Sequence, residues 1–100
     1  MDDSQYHKLL DEVFSEITGM LDDAYSKGDI DLSESDGVIE VTMENGSGVF
    51  VINRHVPTKQ IWLSSPKTGA YHVVFDDTAG KWLARGEELI DIVRKEILGK

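Results

Sequence analysis

Two strand-like runs joined by a proline-containing turn dominate the middle of the sequence, within residues 48–71. Residues 49–53 and 60–63 are rich in β-branched and aromatic side chains, and the intervening His55-Val56-Pro57-Thr58 favours a turn. The pattern therefore predicts two adjacent antiparallel strands at the centre of a sheet.

Alternation along the second run separates the two faces of this sheet. If Ile61 and Leu63 face the core, Trp62 lies on the opposite face, together with Gln60 and Asn53. A large aromatic side chain among amides is the composition of a contact surface. The alternative is that another element covers this face and that Trp62 belongs to the core. The pattern alone leaves both interpretations open.

Amphipathic segments flank the predicted strands. Apolar residues recur every three or four positions over residues 4–26 and 87–98, which predicts an N-terminal and a C-terminal helix. Asp3 or Ser4 is expected to cap the first helix, and the second is expected to begin at Glu87.

Short alternating runs between the helices predict an antiparallel sheet of five to six strands. The simplest closure packs both helices on one face of that sheet. We therefore expect an α+β fold, a two-layer α/β sandwich that forms a single domain over residues 1–100.

Acidic residues are concentrated in the first half of the chain. Residues 1–44 carry 13 aspartates and glutamates against two lysines, whereas residues 45–100 carry six acids against eight bases. Such a surface repels nucleic acid and anionic membranes and attracts cations and basic protein patches. We therefore expect no nucleic-acid partner and no membrane partner.

Carboxylates near the end of the first helix are candidate metal ligands. Asp22 and Asp23 lie in its last turn, where negative charge opposes the helix dipole. Asp29 and Asp31 follow in a predicted edge strand, where outward charges alternatively serve to prevent aggregation. Carboxylate oxygens suit Fe²⁺, Mn²⁺, Mg²⁺ or Ca²⁺, and a row of them predicts weak, water-rich and unselective binding.

A mixed oxygen and nitrogen site is a further candidate at the start of the first helix. Asp3 and His7 lie one helical turn apart. The alternative is that Asp3 caps the helix and His7 is solvated. Asp11, Glu12 and Glu16 extend the acidic face between the two ends.

No local motif supports a catalytic mechanism. The chain has no cysteine, which excludes disulfides, thiolate nucleophiles and cysteine-ligated clusters. The three histidines have no metal-ligand spacing, and nucleophile-elbow, phosphate-loop and EF-hand patterns are absent. Isolated histidines and serines are interpreted as ordinary surface groups. The acidic N-terminus and the lack of a long apolar run lead us to expect a cytoplasmic location.

The run VINRHVPTKQIWLSSP, residues 51–66, is similar to the signature segment of the frataxin family. The matching positions are Val51-Ile52-Asn53, Pro57 and residues 59–66, and the chain resembles the bacterial CyaY-type frataxins from its first helix to its last. The resemblance implies the frataxin fold, iron binding and a role in iron–sulfur cluster assembly.

The resemblance also implies two functional surfaces. The first is an acidic ridge that binds iron weakly, as Fe²⁺ or Fe³⁺, with other divalent cations as surrogates. The second is a set of sheet residues that contact a cysteine desulfurase and an iron–sulfur scaffold protein. The ridge residues are Asp3, His7, Asp11, Glu12, Asp22, Asp23, Asp29 and Asp31, to which the acidic face of the first helix adds Glu16. The partner contacts are Asn53, Gln60 and Trp62, joined by Asp22 and Asp23.

Three functions are consistent with these surfaces. The first, which we favour, is a non-enzymatic iron-binding regulator of the desulfurase, and whether it also donates iron is left open. The second is a ferroxidase or iron-storage protein acting on the carboxylates. The third is an acidic adaptor that binds a basic protein surface without metal. We expect a monomer, and whether iron drives the formation of oligomers is left open.

Overall fold

The computed structural model describes residues 1–100, which form two helices and seven strands. Helix α1 spans Asp3–Ser26 and helix α2 spans Leu89–Glu96. The strands are β1 (Ile30–Ser35), β2 (Val38–Met43), β3 (Val49–His55), β4 (Gln60–Ser65), β5 (Gly69–Asp76), β6 (Lys81–Ala84) and β7 (Glu87–Glu88). A short 3₁₀ turn over Val56–Thr58 joins β3 to β4.

The seven strands form one antiparallel sheet whose spatial order follows the chain, from β1 to β7. The inward residues of the strands and the apolar stripes of both helices form one buried cluster. The two-layer α+β architecture is therefore confirmed, with seven strands in place of the expected five to six. Neither helix has the length and hydropathy that a membrane-spanning helix requires.

The first helix begins one residue earlier than predicted. The side chain of Asp2 accepts a hydrogen bond from the backbone N–H of Gln5 at 2.7 Å, so Asp2 is the N-cap. The expectation that Asp3 or Ser4 caps the helix is therefore wrong. Asp3 lies inside the first turn, where its negative charge interacts favourably with the positive end of the helix dipole.

The second helix begins later than predicted, at Leu89. Glu87 and Glu88 do not lie in its first turn, because they pair with Ala84 and Leu83 of β6 and form β7. Extending the sheet satisfies backbone groups at this edge that would otherwise be exposed.

A buried carboxylate fastens α2 to the β4–β5 turn. Glu96 is only 5% exposed, and its carboxylate accepts hydrogen bonds from the hydroxyls of Ser65 at 2.6 Å, Thr68 at 2.9 Å and Tyr71 at 2.9 Å. The Lys67 ammonium donates to the backbone carbonyl of Glu96 at 2.7 Å. Burial removes water from the carboxylate, which is costly for a charged group. These hydrogen bonds replace the lost water and so offset that cost.

Candidate functional site

Trp62 lies on the face of the sheet that the helices leave uncovered. Its neighbours Ile61 and Leu63 are buried in the core, whereas Trp62 is half-buried. In the sheet register, Trp62 pairs with Asn53 of β3 on one side and with His72 of β5 on the other. The residue therefore belongs to the outer sheet face, and the alternative that it is part of the core is not supported.

Two imidazole rings stack on the Trp62 indole. The centroid of the His55 ring lies 3.7 Å from that of Trp62 with an interplanar angle of 8°. The His72 ring lies at 4.6 Å and 18°. Because His55 comes from β3 and His72 from β5, on the two sides of β4, the imidazoles cover opposite faces of the indole.

Hydrogen bonds fix the orientation of these rings. The indole N–H of Trp62 donates to the side-chain oxygen of Gln60 at 2.8 Å. The Nδ1 atom of His55 lies 2.7 Å from the hydroxyl oxygen of Thr58. We call the residues Asn53, His55, Gln60, Trp62 and His72 the tryptophan patch.

Asp3 forms an ion pair with Lys59, at 2.9 Å between the Asp3 carboxylate and the Lys59 ammonium. The hydrogen bond and the charge of Lys59 hold the pKa of the Asp3 carboxyl below its usual value. His7 is half-buried, and its ring lies 5.4 Å from that of Tyr6. A cation held by Asp3 and His7 would therefore compete with Lys59.

Glu12 and Glu16 lie apart from the acidic end of the molecule. Both line a cleft of about 140 Å³ between α1 and β6, whose floor includes the buried Val13 and Trp82. Glu88 also lines this cleft. The predicted ridge is therefore divided, because these glutamates face a different part of the surface from the aspartates near the end of α1.

Two of the aspartates near the end of α1 lie close to Lys27. Asp23 forms an ion pair with Lys27 at 2.9 Å, and both line a depression with Asp29. The hydrogen bond and charge of Asp23, together with the charge of Asp29, raise the pKa of Lys27. Asp22 is exposed on α1, and Asp31 is exposed on β1.

The ridge does not form a preorganised metal site. No three His, Asp or Glu side chains lie close enough together to hold a metal ion. Of the eight ridge carboxylates, Asp3 and Asp23 form ion pairs. The six that form none are Asp11, Glu12, Glu16, Asp22, Asp29 and Asp31. Their oxygens suit a hard cation held by one or two carboxylates and water.

A sequence model of the frataxin-like domain matches residues 1–100. The chain belongs to the frataxin family. The resemblance carried by residues 51–66 is thereby confirmed over the whole chain.

Solved frataxins share this fold. Frataxin from Psychromonas ingrahamii, of the CyaY protein family, is 24% identical with a TM-score of 0.83, over 99% of this chain and 90% of that chain. Trimeric frataxin from the yeast Saccharomyces cerevisiae, complexed with ferrous iron, is 28% identical with a TM-score of 0.78, over 91% and 83%. A further yeast frataxin structure is 28% identical with a TM-score of 0.70, over 97% and 84%.

Within this frataxin fold, sequence reasoning missed the two histidines that contact Trp62. They were interpreted as isolated surface groups because 17 positions separate His55 from His72. The structure brings both to the same indole, so these histidines lie on the surface but are not isolated. The available signal was the hairpin geometry, since two tight turns place one residue of β3 and one of β5 beside each residue of β4.

Proposed function

We propose that this chain is a cytoplasmic, iron-binding regulator of a cysteine desulfurase during iron–sulfur cluster assembly. The observation that carries the proposal is that two surfaces of different chemistry lie on one frataxin-family domain. Trp62 is held on the open face of the sheet, and unpaired carboxylates lie on α1 and β1. One surface is suited to docking and the other to cations.

Iron is the cargo in this proposal. Asp22, Asp29 and Asp31 are exposed and form no ion pair. At Asp29 a bound cation would meet the nearby charge of Lys27. Fe²⁺ bound by one or two such carboxylates keeps most of its water and dissociates readily. Such binding suits sensing or donation of iron better than storage. A yeast relative is trimeric and complexed with ferrous iron, which supports iron binding and the formation of oligomers here.

The tryptophan patch is the proposed contact with the desulfurase and its scaffold protein. Tryptophan is enriched among the residues that dominate interface energies, and those residues are ringed by polar groups that exclude water. Asn53 and Gln60 lie next to Trp62 and supply such groups. The carboxylates of Asp22 and Asp23 provide long-range attraction to a basic partner surface, which acts mainly on the association rate.

A reconstituted assay tests this function directly. Sulfide release by a purified cysteine desulfurase, with its scaffold protein, is measured with and without this chain, anaerobically, with and without Fe²⁺. We expect the chain to change the rate, and Fe²⁺ to change the size of that effect. Val49→Ala is the control for Trp62→Ala, since Val49 is an exposed apolar residue of β3 outside the patch. A rate that is indifferent to the chain under all conditions contradicts the proposal.

The acidic adaptor is the second candidate, and the lack of any three converging metal ligands favours it. In that case the chain changes sulfide release equally with and without Fe²⁺. Asp22→Lys then weakens the effect in both conditions, whereas Asp77→Lys, the same charge reversal at an exposed turn, does not. Iron-dependent oxygen consumption with turnover would instead indicate a ferroxidase.

A further inference from the structure

We propose that His55 and His72 are positioning residues, which hold Trp62 edge-on so that the patch docks on a flat protein surface. The proposal rests on the docking role given above. Its basis is the stack itself: rings at 3.7 Å and 4.6 Å, inclined by 8° and 18°, lie on both faces of the indole. The His72 distance is that of favourable offset stacking. The closer His55 ring lies nearly face to face with the indole.

Three strands and a turn cooperate to hold the ring. His72 is the direct cross-strand partner of Trp62. The side-chain oxygen of Gln60 accepts a hydrogen bond from the indole N–H. Thr58 contacts Nδ1 of His55 and so restrains the other imidazole. An aromatic side chain fixed before association loses less conformational entropy on binding than a free one. The stack therefore increases the affinity for the partner even if neither histidine contacts the partner.

The stack also selects the kind of partner surface. With both indole faces covered, a partner cannot place an arginine or an aromatic ring on the Trp62 face. An indole flanked by two imidazoles is also too broad to enter a deep pocket made for one side chain. What remains accessible is the indole edge with the outward faces of His55 and His72, across three neighbouring strands. A shallow, broad protein surface fits this shape.

The first test concerns the isolated protein, in a Trp82→Phe background that leaves Trp62 as the only tryptophan. We expect His55→Ala and His72→Ala to reduce the near-ultraviolet circular dichroism of Trp62, because the ring is no longer held in one orientation. His72→Phe retains a ring at this position and is expected to retain the signal. Thr58→Val keeps both imidazoles but removes the restraint on His55, and is expected to give an intermediate signal. An unchanged signal in both alanine variants overturns the proposal.

The second test measures association of the same variants with a cysteine desulfurase–scaffold assembly. We expect each alanine variant to bind about fivefold more weakly and His72→Phe to stay within about twofold of the parent. Val49→Ala serves as the control outside the patch. If the alanine variants lose the ordered signal but bind like the parent, the positioning role is contradicted and docking stands. If Trp62→Ala also binds like the parent, the proposed docking function itself has failed.

Discussion

The hydroxyl of Tyr6 donates a hydrogen bond to the backbone carbonyl of Gln60 at 2.7 Å, which fastens α1 to the strand that carries Trp62. One turn earlier, Asp3 forms its ion pair with Lys59, the residue before Gln60. The helix that carries the acidic ridge and the strand that carries the tryptophan patch therefore meet at one corner. Tyr6 is completely buried there, so its hydroxyl has no access to water.

Replacing Tyr6 by phenylalanine should destabilise this corner. The substitution keeps the ring packing but leaves the Gln60 carbonyl without its donor, which costs about 1–3 kcal/mol for a buried group. The free energy of unfolding in urea measures the loss. Tyr25→Phe is the matched control, since Tyr25 is 48% exposed and should change stability by less than about 0.5 kcal/mol. Equal stabilities of the two variants would show that the Tyr6 hydroxyl contributes nothing.

Glu96 should make the fold sensitive to acid. Burial raises the pKa of the Glu96 carboxyl, but hydrogen bonds from Ser65, Tyr71 and Thr68 outweigh burial and leave this pKa below its usual value. A glutamate of the unfolded chain has a pKa of about 4.3. The stabilisation is therefore present above that pH and is lost as the pH falls through the lower pKa of the folded state.

Glu96→Gln tests this dependence. We expect a loss of about 1–3 kcal/mol at pH 7, because the amide cannot accept all the hydrogen bonds of the carboxylate. The difference from the parent should narrow between about pH 5 and pH 3, measured by urea unfolding at each pH. Parallel stability curves over this range would mean that Glu96 does not titrate with unfolding. Asp77→Asn, at an exposed position that forms no ion pair, is the control.

Period-two alternation was sufficient to predict the core of the sheet. Ile39, Val41, Ile52 and Ile61 occupy alternate positions of their strands and are buried with 0% exposure. The strength of this signal comes from the sheet itself, since a one-residue slip would move every apolar side chain of a strand to the solvent. The open face of the sheet carries no such constraint, and its contacts depend on the neighbouring strands.

The stack on Trp62 was missed because it depends on turn length. A four-residue turn over residues 66–69 would pair Trp62 with Val73. The observed loop is one residue shorter, so Ser65 pairs with Gly69 and Trp62 pairs with His72. A one-residue difference in a loop changes which side chains meet across strands, and element boundaries are the weakest part of pattern reasoning.

Asp22→Lys should stabilise the protein. Asp22 is exposed, forms no ion pair and lies near the C-terminal end of α1, which has no basic residue in its last turn. A cation there interacts favourably with the helix dipole, and we expect the melting temperature to rise by about 2–6 °C. Asp23→Lys should gain less, because it removes the ion pair with Lys27. Moderate salt should reduce the gain, since it screens surface charges. A lower melting temperature for Asp22→Lys would contradict the view that negative charges destabilise the C-terminal end of α1.

Ferrous iron should bind to the ridge and leave the tryptophan patch unaffected. Anaerobic titration with Fe²⁺, followed by nuclear magnetic resonance, is expected to broaden signals of residues 3–31 and to leave His72 and Trp62 sharp. Binding should be weak, since no three ligands converge. Tight binding at His55 or His72 would contradict this assignment. Asp22→Asn with Asp29→Asn should weaken the titration, whereas Asp77→Asn should not.

The most direct test of the account is Trp62→Ala, with stability and partner affinity measured on the same sample. The ring is half-buried and stacked, so we expect an unfolding cost of about 1–2 kcal/mol, below the roughly 3–5 kcal/mol of a truncated core aromatic. Affinity for a cysteine desulfurase–scaffold assembly should fall by about thirtyfold, the equivalent of about 2 kcal/mol. A folded variant that binds as tightly as the parent would contradict the proposed role of the patch.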